Sequence, residues 1–447
     1  MSVTDYAPNG TSDEAGENWW SRYPDIGLKL SPFGLEHLFN YQPGGMHPVH
    51  LHDTLGKDGR YRVIHKLGHG GFGVIWLCRD VAAKLSRYVA VKILASDIAP
   101  EECQELQFVK IAECLDLDVN EDIATSICLP SDHFQIKGPN GNHVCFIYPV
   151  LGPRVSHGVF SSKDRDKTLR NICYTVVKLL GFLHSKSICH GDLTAGNILH
   201  QVHGLNGLSE HEVLRILGAP VQNPILKNFT TAHDEPSIPQ YLVYPVKWGD
   251  MPSHHISEQP SIIDFGEFFN ESKPPDELGI PLAYRSPEFI LENKIGVGVD
   301  IWALGCTIFE IRTGRKLFAT FDNDDDCSLD AMVEVLGKFP EPWWSTTWEG
   351  RTIFYPDDAE DDAVRAAPEP KPNVTVHPSV AEGARSIEDK LVPGVWYMSS
   401  DSPENMHRDI PREEIKIFAD LLRRFLRYDP KERLGAEAAL EHEWFKM

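Results

Sequence analysis

The distribution of apolar and polar positions changes character once along this chain. Residues 61–93 are β-like: Tyr61-Arg-Val-Ile, Val74-Ile-Trp-Leu-Cys and Tyr88-Val-Ala-Val-Lys-Ile are short runs, the first two separated by a glycine cluster. Residues 100–114 read as a helix, with Pro100 near its first turn and Glu101 and Glu102 following. Residues 144–151 form a short apolar run ended by Gly152-Pro153, and beyond it helical spacing takes over, as in 169–184 and 301–313. The pattern predicts an α+β chain with two lobes, a small β-rich one over 61–150 and a larger, mainly helical one over 151–447.

Three stretches stand outside that scheme. Residues 1–60 are an N-terminal extension. Its first 16 residues are rich in Gly, Ser, Asp, Asn and Glu and are predicted to be disordered. Residues 18–58 carry Trp19, Trp20, Tyr23, Phe33, Leu35, Leu38 and Phe39, too many apolar groups for a free tail, so this part is expected to pack on the first lobe. Residues 201–260 and 341–403 look inserted. The first is polar and broken by prolines; the second holds eight prolines and the acids Asp357, Asp358, Glu360, Asp361 and Asp362. Both are predicted as loops with little regular structure.

Composition narrows the class. A chain of 447 residues with 42% hydrophobic and 24% charged residues has ordinary globular proportions and can bury a sizeable core. No apolar run nears eighteen residues, so no membrane helix is expected, and the polar, acidic first residues do not read as a secretory signal. Nine cysteines without paired spacing are expected to be reduced thiols in a cytoplasmic or nuclear protein. A net charge of −22 argues against direct nucleic-acid binding and suits either cationic partners or solubility alone.

Candidate chemistry falls at four places. Gly68-His-Gly-Gly-Phe-Gly73 lies between two predicted strands, where backbone N–H groups could approach anionic oxygens with no Cβ in the way; a plain hairpin has the same look. Lys92 follows Gly73 by 19 residues on a strand, so its ammonium could pair phosphates and be held by a carboxylate of the next helix. Glu105 is the chosen partner ahead of Glu101 and Glu102, against a lysine that merely snorkels from a strand end. In His190-Gly-Asp-Leu-Thr-Ala-Gly-Asn197, Asp192 would orient a hydroxyl proton and Asn197 would offer an oxygen to Mg²⁺, unless both only cap a turn. In Ser261-Ile-Ile-Asp264-Phe-Gly266 an apolar strand delivers Asp264 beside a glycine, as a Mg²⁺ ligand requires. Tyr284-Arg-Ser-Pro-Glu288, Asp300-Ile-Trp-Ala-Leu-Gly-Cys306 and Asp429-Pro-Lys-Glu-Arg433 follow, and Glu288 and Arg433 are candidate buried partners.

In this order the motifs resemble those of the eukaryotic protein kinases, over residues 61–445. The resemblance implies a bilobal protein-kinase-like fold, ATP and Mg²⁺ as cofactors, and transfer of the γ-phosphoryl group to protein hydroxyls. Asp192, Lys92, Glu105 and Asn197 are then catalytic, and Asn197 and Asp264 hold metal. Leu67, Gly68, Gly70, Gly71, Gly73, Ile75, Ala90, Lys92, Pro149 and Leu151 surround the nucleotide, with Pro149 and Leu151 as the adenine-reading hinge and Tyr148 guarding the back pocket. A narrower likeness, carried by Gly44-Gly-Met-His-Pro-Val-His-Leu-His-Asp-Thr-Leu, Trp76-Leu-Cys-Arg-Asp80 and the 67 positions from Asn197 to Asp264, is to the SR-protein kinases. It implies Arg/Ser-rich protein substrates of the splicing-factor type. A monomer is expected, without direct nucleic-acid or membrane partners.

Three departures temper the likeness. Gly191 replaces the arginine that commonly grips a phosphorylated activation loop, so no such control is expected. Thr194 replaces a lysine beside the transferring phosphoryl, and Pro281 stands where a threonine is often found. These departures keep a pseudokinase scaffold in view as an alternative. The catalytic loop is also similar to that of small-molecule phosphotransferases such as aminoglycoside and choline kinases, which lack the Ser-Pro-Glu, Asp-Ile-Trp and terminal Asp-Pro elements present here.

Overall fold

Period-two alternation sorts the side chains of the first unit onto two faces of one antiparallel sheet. In this computed structural model, which describes residues 20, 26–96, 101–115, 121–155, 164–226, 235–320, 324–355, 385–399 and 402–447, the strands run in the order Thr54–Leu55, Tyr61–Gly70, Gly73–Asp80, Arg87–Leu94, Gly141–Tyr148, Asp132–Gly138. Val74, Trp76, Cys78, Val89, Val91, Ile93, Cys145 and Ile147 point to one side and are buried there. Ile75, Ala90 and Lys92 point to the other, because Ile75 is the direct cross-strand neighbour of Lys92 and Ala90 lies two positions before it. The same alternation that builds the core therefore reserves the opposite face for the site.

What covers the buried face corrects the expectation for residues 201–260. They are not a structureless loop. They contain the helix Glu210–Leu217 and the strands Gln222–Leu226 and Tyr241–Val243, and residues 201–257 group with 1–106 and 128–152 in one compact unit. The helix starts in a capping box, Ser209 accepting from the Glu212 N–H while the Glu212 carboxylate accepts from Ser209, and buries Val213 and Leu217 against Ile64, Leu77 and Tyr88. Leu242 and Val243 join Tyr41, Met46 and Val49 of the extension over the sheet. The extension packs on the inserted segment: Gly27–Leu28 adds a strand to Gln222–Leu226, and Trp20 and Leu38 are buried with Ile238. Phe33 is the exception at 90% exposed. Residues 1–16, Trp19 and Tyr23 lie outside the described residues. The strand Ile198–Val202 leads into the inserted segment and its neighbour Ile256–Ile262 leads out; Ile263 N–H donates to Asn197 O at 3.0 Å and His203 N–H to His255 O at 3.0 Å.

Below the strand that leads to the glycine cluster, a charge is buried. Lys66 is fully buried and paired with Glu36, which also accepts from the Tyr41 hydroxyl at 2.7 Å. Burial pulls the Lys66 ammonium below its ordinary range, and the Glu36 carboxylate acts against that. Lys66 also gives its carbonyl to the Val246 N–H at 3.0 Å, so extension and inserted segment both hold this residue.

The second unit, residues 107–127, 153–200 and 258–447, is mainly helical. Asp164 caps the helix Arg165–Ser185, whose buried face includes Leu169, Ile172, Val176, Val177, Leu180 and Leu183. The helix Val297–Thr313 is buried nearly all round, as a central core helix must be. Arg312 makes a two-pronged pair with Glu414 at 2.7 and 2.8 Å, and Arg433 makes one with Glu288 at 2.6 Å on each prong, so the suggested Glu288–Arg433 partnership is present. The helix expected at 100–114 is Gln104–Ala112; Pro100 lies outside the described residues. Residues 341–355 are ordered by aromatic packing rather than looped, with Trp343, Trp344, Trp348, Phe354 and Tyr355 buried, and residues 387–391 are helical. Asp357, Asp358, Glu360, Asp361 and Asp362 lie outside the described residues.

Lys66→Ala strands the Glu36 carboxylate in the core, and an unfolding titration should show a loss of about 3–5 kcal/mol. The double change Glu36→Leu with Lys66→Met should recover most of it. A Lys66→Ala protein as stable as its parent would show that the pair is not a working contact.

Candidate functional site

The site residues are built from two sets, one in each unit. In the first unit the glycine hairpin closes between Gly70 and Gly73. A Cβ on Gly73 would stand 2.4 Å from the Ile93 carbonyl oxygen, so this glycine is required by close strand packing. A Cβ on Gly68, Gly70 or Gly71 would meet nothing within 4 Å, so these three serve no packing need and leave the backbone open to a ligand. The ladder shifts register between Lys66 and Gly68, which sets Leu67 in a bulge immediately before the glycines. Ala90 pairs across the sheet with Tyr148, so it lies beside the strand end that runs into Pro149 and Leu151. Pro149 is exposed and Leu151 and Ile75 are half-buried.

Lys92 finds the partner expected of it. Its Nζ lies 2.8 Å from Glu105 Oε2, both groups mostly shielded from water, while Glu101 and Glu102 are exposed. The other Glu105 oxygen accepts from the Tyr148 hydroxyl. Tyr148 thus does more than flank the pocket; it helps fix the glutamate that fixes the lysine, a link the linear sequence does not announce.

In the second unit, Asn197 Nδ2 donates to Asp192 Oδ2 at 2.9 Å and to the Asp192 carbonyl at 2.8 Å, which turns the amide oxygen of Asn197 away from the aspartate. Asp192 Oδ1 is buried and, among the described residues, has no hydrogen-bond partner. Burial pushes the Asp192 carboxyl up to about 7; the Asn197 hydrogen bond opposes this, and the carboxylates of Asp264, Glu267 and Asp300 add to it. Asp264 sits in the left-handed region at φ 66°, a strained setting for a residue with a side chain. Phe265 beside it is buried, stacked on Phe108 at 3.9 Å and close to the His190 ring at 4.8 Å.

Asp300 is the functional residue that sequence reading passed over. It is fully buried, and its carboxylate accepts from the N–H groups of His190 at 2.6 Å and Gly191 at 2.9 Å and contacts His184 Nε2 at 3.0 Å. Burial alone would raise its pKa, but these contacts hold it below the ordinary value. It clamps the loop that presents Asp192. Gly191 has φ 77°, and a Cβ there would lie 2.0 Å from the Glu267 carbonyl oxygen, so glycine suits this backbone. The signal was available: Asp300 opens an apolar stretch that buries on all sides, where an acid persists only with donors around it.

A buried carboxylate, an ion-paired lysine and oxygen donors at two strand ends are groups of the kind that phosphoryl transfer uses. The Protein kinase domain family matches residues 254–445. The chain is 27% identical to the serine/threonine-protein kinase SRPK of Physarum polycephalum over 91% of this chain and 90% of that protein. It is 26% identical to the serine/threonine-protein kinase AFC3 of Arabidopsis thaliana over 87% of this chain and 82% of that protein. With the dual specificity protein kinase CLK1 of Homo sapiens the identity is 25%, over 87% of this chain and 66% of the relative. Residues 254–445 thus match a protein kinase domain, and over most of its length the chain is similar to serine/threonine protein kinases, phosphotransferases that act on proteins. The SRPK and AFC3 relatives are matched over most of both chains. ATP and a divalent cation are general to such kinases, and the residues here fit them. Asn197 and Asp264 are hard oxygen donors, and the crowd of carboxylates that raises the Asp192 pKa calls for a cation. Among the described residues no helix is long and apolar enough to cross a membrane.

Asp300→Ala would leave the His190 and Gly191 N–H groups buried without acceptors. Each should cost about 1–3 kcal/mol, read as a lower unfolding midpoint, and phosphoryl transfer should fall with it. Unchanged stability would deny the clamp.

Proposed function

We propose that this kinase transfers the γ-phosphoryl group of ATP, with Mg²⁺ as the cation, to serine or threonine hydroxyls of Arg/Ser-rich proteins of the splicing-factor type. It does so as a monomer in the cytoplasm or nucleus. The observation that carries the reading is Asp192: one carboxylate oxygen is held by Asn197 and the other, buried, is open to accept a hydroxyl proton. In the transfer the acceptor oxygen bonds to the γ-phosphorus. The bond from that phosphorus to the β,γ-bridging oxygen breaks, its electron pair leaving with ADP, and the acceptor proton passes to Asp192. Lys92, oriented by Glu105, positions the phosphates; Leu67, the glycine hairpin, Ile75, Ala90, Pro149 and Leu151 receive the nucleotide. Asn197 and Asp264 would hold the Mg²⁺, which would neutralise phosphate charge. The net charge of −22 suits an arginine-rich substrate, and the likeness to SR-protein kinases points the same way.

Gly191 offers no side chain to a phosphorylated activation segment. Glu267 accepts from the Gly279 N–H at 3.0 Å, and Arg285 Nε donates to the Ile280 carbonyl at 2.9 Å, so the segment has contacts of its own. Phosphatase treatment should leave the rate unchanged; a large loss would contradict this account. A second reading, a nucleotide-binding scaffold without transfer, draws on Thr194, where the neighbouring lysine of related enzymes is missing.

Labelled ATP and an array of Arg/Ser, proline-directed and acidic peptides separate the readings. Label should pass preferentially to Arg/Ser peptides, and Lys92→Met and Asp192→Asn should each lower turnover at least about 100-fold. Equal labelling by the parent and Asp192→Asn proteins would favour the scaffold.

A further inference from the structure

Thr194 is almost fully buried and carries no charge, so the loop between Asp192 and Asn197 supplies no cation of its own. Another part of the same unit brings one there. Arg154, the last residue of the strand Leu151–Arg154, reaches this loop. A Cβ built on Gly196 would lie 3.3 Å from Thr194 Oγ1, 3.8 Å from Arg154 Cζ and 3.9 Å from Arg154 Nη1. The guanidinium therefore lies at van der Waals distance from the Cβ position of Gly196, within two residues of Thr194 and next to Asn197 in the chain. Arg154 is exposed, and among the described residues it makes no hydrogen bond or ion pair. A planar donor fork next to the Gly196 position, on the same loop as Asp192 and Asn197, matches the oxygens of a phosphoryl group.

We propose that Arg154 is a catalytic residue that donates hydrogen bonds to the non-bridging oxygens of the phosphoryl group in flight, in place of the cation that Thr194 cannot provide. This rests on the phosphoryl-transfer reading of the site. No bond to Arg154 forms or breaks; its charge offsets the negative charge on the three oxygens while the phosphorus passes from the β,γ-bridging oxygen to the acceptor oxygen.

The test is steady-state transfer from ATP to an Arg/Ser peptide by the full chain. Arg154→Ala should lower kcat about 100-fold while leaving the peptide KM and the melting temperature unchanged. Returning a cation, either as Arg154→Lys or as Thr194→Lys in the Arg154→Ala background, should regain at least about tenfold of that loss. An unaltered kcat in Arg154→Ala would overturn the proposal, as would a change confined to peptide KM, which would make Arg154 an acceptor-binding group, or failure of both cations to restore the rate. If the parent protein transfers no phosphate at all, the phosphoryl-transfer reading falls and takes this role with it.

Discussion

Burying a charge is tolerated in this protein where an opposite charge or a set of donors meets it, and that requirement organises both units. Lys66 is buried against Glu36, Arg312 against Glu414 and Arg433 against Glu288. Asp300, fully buried, is met by two backbone N–H groups and a histidine. Each of these holds together segments far apart in sequence. Against that background Asp192 stands out. Among the described residues its second oxygen is buried without a donor, an arrangement that costs stability.

The sheet carries the same logic at a coarser scale. One face is sealed by the extension and the inserted segment, and the other presents Ile75, Ala90 and Lys92. The cover also reaches the glycine hairpin. Glu36 and Val246 grip Lys66 just before the bulge at Leu67, so the backbone that leads into the glycines is anchored from outside the sheet.

Much of this was legible in sequence because it rests on local pattern. The alternation in residues 61–93, the glycine hairpin, and the spacing of Asp192 to Asn197 are short-range signals, and Lys92 needed only one acid on the following helix. The misreadings share a cause. Residues 201–257 contain strands of three and five residues, one with Pro224 inside it, and they are ordered by docking onto another surface, which no window of the sequence reveals. The Tyr148–Glu105 contact and the Asp300 clamp join residues 43 positions apart and about 110 apart, beyond the reach of periodicity. Gly73 was grouped with the phosphate glycines because they share one motif, whereas its own constraint is the neighbouring strand.

The paired strands that open and close the inserted segment have a further consequence. Asn197 and Asp264 are separated by a long excursion, yet hydrogen bonds at its base fix the two ends beside one another. Once that stem is zipped, extra length in the excursion adds closure entropy only logarithmically. The excursion can therefore vary in length at little entropic cost, while the stem alone sets how far Asn197 lies from Asp264.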